Sequence, residues 1–274
     1  MTNMSSSVSG IKPRDLPDWL LSHGSAFTST AEVARLLDVP TNEVAAIAAR
    51  WRRNGHAFSP TPGVYVPIPS EFRTWGAVPA SHFIDPLMRH LGHPYYVGFL
   101  SAAEIHDAAH QRPQVFQVVT TARLANRSFG RVRLSFITSS CTADRPIVEV
   151  NTPTGTIKVS TPEVTVLDLV ADPTHGGGLS NIATVIADLL DDDKINVEKL
   201  VSVADQYPLA VTQRTGWMID HVAQEIGRTI DLDPLAAMAN PGAERTFLSP
   251  SAPRRGTMNR RWRVVVNTEV ESDR

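Results

Sequence analysis

Two short amphipathic segments joined by a tight turn, within residues 28–53, constrain the fold of this 274-residue chain most strongly. Ala34 is small enough to let two helices approach closely, and Asp38 occupies the turn, where Asp tolerates a left-handed backbone. Apolar residues recur at helical spacing on the expected inner faces of both segments and in the turn. They are Val33, Ala34, Leu37, Val39, Val44, Ile47 and Trp51. The pattern predicts a helix-turn-helix.

The outward face of the second segment carries small and polar residues at its start and arginines at its end. A solvated face would normally be filled with Glu and Lys, whereas small side chains let a helix approach the base edges of DNA. Asn and Arg can form paired hydrogen bonds with adenine and guanine. We expect base contacts from Thr41, Asn42, Ala46 and Arg50, and phosphate contacts from Arg52 and Arg53. A helical hairpin used only for packing is the alternative.

The residues that follow Arg53 predict a β-hairpin, which in this position would be the wing of a winged helix. Gly55 ends the helix, and Phe58 and Val66 fall on two short strands joined by residues 59–63. The tip of this hairpin contains no Lys or Arg. Any phosphate contact there would therefore come from backbone N–H groups or hydroxyl groups.

An apolar stripe upstream of the helix pair predicts a first helix, formed around Leu16, Trp19 and Leu20. Lys12 and Arg14 stand at the start of this helix, where they could reach the DNA backbone. Residues 1–10 have no core-forming pattern and are expected to form a loose tail. These segments together predict a DNA-binding domain over residues 1–72.

The chain is about 200 residues longer than a single winged helix, so its length predicts a second domain over residues 73–274. A protein that binds nucleic acid over its whole surface would carry a clear positive charge, whereas the net charge here is −2. DNA would therefore be bound by local basic patches. The single cysteine, Cys141, excludes an internal disulfide framework. The chain has no secretory leader and no run near the ~18 apolar residues of a membrane span. We therefore expect a cytoplasmic protein without a membrane partner.

Strand and helix patterns are mixed along the second domain, which predicts an α+β fold. Strands are expected at 115–120, 131–138, 147–151 and 156–160, with a closing strand after 262. Helices are expected at 82–91, within 95–111, and at 180–191, 196–206 and 209–226. Thr161, Pro162 and Glu163 form a helix start, with Thr161 as N-cap and a carboxylate beside the positive end of the dipole.

Several motifs occur in an order that resembles the AbiEi-type antitoxins of type IV toxin–antitoxin systems. The motifs are GVYVPIP after the helix pair, YYVGFLSAAEIHDAA at 95–109, GTIKVSTPEVTVLDLVADP at 155–173, TQRTGWMIDHVA at 212–223 and NRRWRVVVNTEVESD at 259–273. The resemblance covers nearly the whole chain. It departs from the family pattern in the valines at 164 and 166, around the usual Thr-bearing turn, and in a long terminus.

The resemblance implies a protein that is not an enzyme and uses no cofactor. Its partners would be double-stranded promoter DNA, bound through the winged helix to repress its own operon, and a co-encoded nucleotidyltransferase toxin, neutralised without a stable complex. Cooperative binding of two copies on promoter repeats stays open.

The resemblance also implies a basic face on the larger domain that assists repression. The candidate residues are Arg112, Arg123, Arg127, Arg131, Arg133 and Arg145, with a second set at Arg254, Arg255, Arg260, Arg261 and Arg263. The alternative interpretation is that these arginines protect the edges of the sheet against pairing.

Two other function classes are alternatives to a repressor with antitoxin activity. A metal-dependent nuclease would use Asp144, Glu149 and Lys158, but the close Glu-x-Lys pair of such sites is missing. His106 and His110 have the spacing of zinc ligands without the catalytic glutamate, so no metal site is expected. A ligand-responsive repressor would need a pocket, for which the candidate lining residues are Trp75, Tyr95, Tyr96 and Phe99.

Overall fold

The computed structural model describes residues 10–109, 113–239 and 244–273. Residues 10–67, called the N-terminal unit below, contain three helices and a small antiparallel sheet of order β1-β3-β2. The elements are α1 (Leu16–Ser22), β1 (Thr28–Ser29), α2 (Thr30–Leu37), α3 (Thr41–Arg53), β2 (Ala57–Phe58) and β3 (Val64–Pro67).

The turn between α2 and α3 has the backbone that its sequence predicts. Asp38 adopts a left-handed conformation, with φ 53° and ψ 48°, and the amide of Val39 donates a hydrogen bond to the carbonyl of Ala34. The two helices close over a core in which Val33 and Val44 are fully buried. Leu36 lies in this core, whereas Leu37, which the sequence pattern placed inside, is only half-buried. Leu36 is one helical turn from Val33, and this spacing brings it to the same face.

A mixed six-stranded sheet forms the centre of the rest of the chain, in the order β6-β7-β5-β4-β9-β8. Its strands are β4 (Tyr95–Val97), β5 (Phe116–Thr120), β6 (Arg127–Phe129), β7 (Val132–Thr138), β8 (Ile147–Thr152) and β9 (Gly155–Ser160). The β5–β7 and β4–β9 pairs are parallel and the other pairs are antiparallel.

Helices and a second small sheet complete the fold. The helices are α4 (Ile84–Leu91), α5 (Phe99–Ile105), α6 (Pro162–Ala171), α7 (Leu179–Asp191), α8 (Val197–Ala204), α9 (Leu209–Glu225) and α10 (Asp233–Ala239). The small sheet has the order β10-β12-β11 and is formed by β10 (Thr246–Phe247), β11 (Thr257–Asn259) and β12 (Val264–Val266). This combination of helices and sheets confirms the predicted α+β class. None of the helices in the described ranges is long and apolar enough to cross a bilayer.

The six-stranded sheet separates two hydrophobic cores, because successive side chains of a strand point to opposite faces. Tyr96 and Val119 face a core built mainly from α6, α7 and α9. Their neighbours Tyr95 and Val118 face a second core, which contains α4 and also Phe58 from the N-terminal unit. The N-terminal unit therefore contributes to the packing of the larger sheet.

Helix α6 lies at the centre of the first core, and every residue from 163 to 170 is buried. The predicted helix start is confirmed, since the hydroxyl oxygen of Thr161 accepts a hydrogen bond from the amide of Val164 at 3.4 Å. On α9, Gly216 leaves room for the fully buried ring of Trp262, which would lie 2.0 Å from a Cβ atom at that position. The last two sequence motifs are therefore packed directly against each other.

Candidate functional site

Helix α3 presents an exposed face formed by the residues that the sequence marks for base contacts. Val44, Ala48 and Trp51 turn toward the core of the N-terminal unit, so the opposite side of the helix is left open. The predicted contact residues Thr41, Asn42, Ala46, Arg50, Arg52 and Arg53 are all exposed, as are Glu43 and Ala45. The three arginines occupy the last turn of the helix.

The segment before α1 runs beside the C-terminal half of α3. The indole N–H of Trp51 donates a hydrogen bond of 2.7 Å to the carbonyl of Pro13, which fixes the segment in this place. Lys12 and Arg14, on either side of Pro13, are both exposed. Arg14 lies 3.3 Å from the carboxylate of Asp15, but its side chain is 77% exposed, so this ion pair contributes little to stability.

A cleft of about 510 Å³ separates α3 from the β2–β3 loop, residues 59–63. The helix supplies one wall, the loop a second, and Arg127 from β6 of the larger sheet a third. The lining residues are Ala45, Ala48, Arg52, Ser59, Pro60, Thr61, Pro62, Gly63, Tyr65 and Arg127. The hydroxyl of Ser59 donates to the carbonyl of Thr61 at 2.8 Å, and Gly63 has φ +80°, so the loop is internally ordered.

The arginines predicted for a basic face do not form one patch. Arg123, Arg131 and Arg133 are exposed, and Arg131 with Arg133 line a broad cleft beside Trp75. Arg127 is half-buried and faces the N-terminal unit. Arg112 lies outside the described residues.

Arg145 is not part of an exposed basic face, which corrects the expectation from sequence. Its side chain is 8% exposed, and its guanidinium lies 3.6 Å from the centre of the Tyr207 ring. It also donates hydrogen bonds to the side-chain and main-chain oxygens of Gln206, at 3.0 and 3.2 Å. Arg145 stands just before β8, where this edge of the sheet meets the α8–α9 connection, so its side chain is covered there.

The second arginine set is partly engaged in holding the C-terminal segment in place. Arg261 forms ion pairs with Asp220 at 3.2 Å and Asp233 at 2.7 Å. The guanidinium of Arg254 lies 5.7 Å from the centre of the Phe247 ring. Arg255 and Arg260 are exposed, and Arg263 is half-buried.

A buried polar network that sequence reasoning missed connects β4, α6 and two loops around Asp168. Tyr96 and Tyr207 donate hydrogen bonds to its carboxylate at 2.9 and 2.7 Å, and Arg145 stacks on Tyr207. Burial raises the pKa of Asp168 to about 6, although both tyrosine hydrogen bonds act to lower it. Burial also raises the pKa of each tyrosine. The available signal was one carboxylate within the apolar helix sequence VTVLDLV.

The residues of the alternative nuclease site do not gather into a metal centre. Glu149 and Lys158 stand opposite each other on β8 and β9, and both are exposed, as is Asp144 in the preceding turn. Within the described ranges, no three His, Cys, Asp or Glu residues are placed to hold an ion together. The ring of His106 is hydrogen-bonded to the carbonyl of Ser160 at 2.7 Å, and burial lowers its pKa. His110 lies outside the described residues.

The aromatic residues considered for a ligand pocket do not line one cavity. Tyr95 belongs to the second core, where its hydroxyl donates to Asp85 at 3.0 Å. Tyr96 and Phe99 lie in the core on the other side of the sheet. Trp75 is 36% exposed on a separate surface. The four side chains therefore lie in different parts of the fold.

Comparison with known proteins finds one family model that matches the central part of the chain. Residues 96–221 match the family model described as the AbiEi antitoxin C-terminal domain. This part of the chain is similar to the AbiEi antitoxins. The antitoxin domain, as residues 96–221 are called below, begins in β4 and ends in α9. It contains the Asp168 network and Arg127, whereas α1, α2 and α3 lie before it.

The arrangement of the whole chain is also found in a solved structure. The RV2827C protein from Mycobacterium tuberculosis aligns with a TM-score of 0.65 over 96% of this chain and 94% of its own. The two sequences are 14% identical, so the likeness concerns the fold. No curated protein matches the sequence.

Proposed function

We propose that the protein is the antitoxin and transcriptional autoregulator of a type IV toxin–antitoxin pair. In this proposal, residues 1–72 form a winged helix-turn-helix domain that binds repeats in its own promoter. Residues 73–274 form the C-terminal domain that counteracts a nucleotidyltransferase toxin encoded beside it. The antitoxin domain within residues 96–221 supports the second role.

The DNA-binding role is supported above all by the exposed surface of α3. Asn42, Ala46 and Arg53 lie along one exposed side of the helix, at spacings that keep them on one face. Small side chains let the helix enter the major groove, and the arginines in its last turn suit phosphates and guanine edges. A helix used only for packing would also leave one face in solvent, but that face would normally carry Glu and Lys rather than small residues and arginines.

The α3 surface can be tested with one variant and one duplex. Arg50→Ala should weaken binding to the DNA upstream of the operon by about 1–3 kcal/mol if Arg50 contacts a base. A mobility-shift titration of the full chain measures this loss. Arg35→Ala is the matched control, since Arg35 is exposed on α2 and paired there with Glu32 at 2.7 Å. Equal affinities of the Arg50 and Arg35 variants would remove Arg50 from the interface.

The antitoxin role leads to a separate prediction. The full chain, expressed from an independent promoter together with the neighbouring nucleotidyltransferase, should restore growth of cells that the toxin arrests. Arg50→Ala should restore growth equally well, because Arg50 lies outside the antitoxin domain. An empty vector serves as the control. Continued growth arrest with the wild-type chain would contradict the antitoxin role, and a stable complex in gel filtration would contradict neutralisation without lasting contact.

A further inference from the structure

The cleft between α3 and the β2–β3 loop is lined in part by Arg127, a positively charged residue that is distant in sequence. The hairpin from 54 to 69 contains no Lys or Arg. Arg127 of the antitoxin domain reaches this hairpin and donates a hydrogen bond to the carbonyl of Pro60. Its guanidinium also lies over the face of Phe136, 5.7 Å from the centre of the ring. Neither contact neutralises the positive charge.

Arg52 lines the same cleft from α3. It shares one side of α3 with Ala45 and Ala48, because these residues are spaced by three and four positions. The two alanines leave open space between the helix and the loop. Two guanidinium groups therefore border one cavity, together with the hydroxyl-bearing residues Ser59 and Thr61.

The loop is held in place by the strand that carries Arg127. Phe58, directly before the loop, contacts Phe129 with ring centres 5.1 Å apart and Phe83 at 5.2 Å. Phe129 is at the end of β6, two residues beyond Arg127. The larger sheet therefore packs directly against the residue at the start of the loop.

We propose that Arg52 and Arg127 form a phosphate clamp for one phosphate of the DNA backbone, held between α3 and the wing. This inference rests on the proposed DNA-binding function and adds a residue of the antitoxin domain to the interface. The planar guanidinium group matches the geometry of phosphate oxygens, and a partly desolvated site strengthens the attraction. Arg127 both binds the phosphate and positions the loop through Pro60.

The clamp is tested by the salt dependence of DNA binding. We compare the wild-type chain with Arg127→Gln, Arg127→Lys and Arg52→Gln on a fluorescent duplex from the upstream region, between about 0.05 and 0.2 M salt. Each Gln variant should weaken binding by roughly tenfold and reduce the slope of log K against log salt by about 0.9, since one phosphate contact is lost. Arg127→Lys keeps the charge and should keep most of the slope.

Arg89→Gln is the matched control, because Arg89 is exposed on α4 and lies outside the cleft. A slope for Arg127→Gln equal to that of this control would overturn the clamp. The same holds if Arg127→Gln and Arg127→Lys weaken binding equally at an unchanged slope, since Arg127 would then only position the loop. If Arg127→Gln does not fold, Arg52→Gln still tests the clamp, because Arg52 is exposed on α3. A slope for Arg52→Gln equal to that of the control would then overturn the clamp. A wild-type chain that does not bind the duplex would refute the proposed DNA-binding function itself.

Discussion

Asp168 places a carboxyl group inside α6, and its protonation depends on the fold. Burial raises its pKa from the ordinary 3.8 to about 6, so the folded chain holds this proton more tightly than the unfolded chain. The resulting stabilisation is fully present below pH ~4 and is lost as the pH rises toward 6. This rise in the pKa of Asp168 corresponds to about 3 kcal/mol of stabilisation at low pH. Asp168→Asn, which cannot ionise, should lack this dependence.

Urea unfolding at several pH values between 4 and 7 tests this prediction. The stability of the wild-type chain relative to Asp168→Asn should fall by up to about 3 kcal/mol across this range. Tyr207→Phe removes a hydrogen bond that lowers the pKa of Asp168, so its stability should continue to fall at higher pH. Parallel curves for the wild type and Asp168→Asn would contradict the assignment.

Among the secondary-structure elements, those with strong local signals were predicted well from sequence. Asp38, the apolar stripe of α3 and the Thr161 cap each act within one or two helical turns, so their outcome depends little on the rest of the fold. The helices α7 and α9 also follow the predicted ranges closely. These predictions succeed because the decisive contacts are local.

Short elements and long-range contacts were not predicted. The strand β6, the helix α10 and the strands β10 and β11 have two to seven residues each, too few for a periodic pattern to stand out. The burial of Arg145 depends on Tyr207, which is distant in sequence. The contact of Arg127 with Pro60 spans 67 positions. The exposure of the candidate residues on α3 could therefore be predicted from sequence, whereas the position of Arg127 beside the β2–β3 loop could not.

At the scale of the whole molecule, the N-terminal unit and the larger sheet share a core. Phe58, 7% exposed, and the fully buried Val66 lie in the same apolar cluster as Phe83 and Leu134. The sequence predicts a domain boundary after residue 72, and this boundary stays a prediction. The shared core links the larger sheet to the β2–β3 hairpin beside α3, so we expect a change in the sheet to affect the position of the β2–β3 loop.

Phe58→Ala tests whether this shared core supports DNA binding. Loss of the buried ring should reduce the free energy of unfolding by about 3–5 kcal/mol and loosen the wing, so that promoter affinity falls. Met218→Ala is the control, because Met218 is fully buried in the other core and should cost about 2–5 kcal/mol without touching the N-terminal unit. Affinity is compared at a temperature where both variants are folded. Equal promoter affinities of the two variants would mean that the wing keeps its position without Phe58, and the larger sheet would then have no part in setting it.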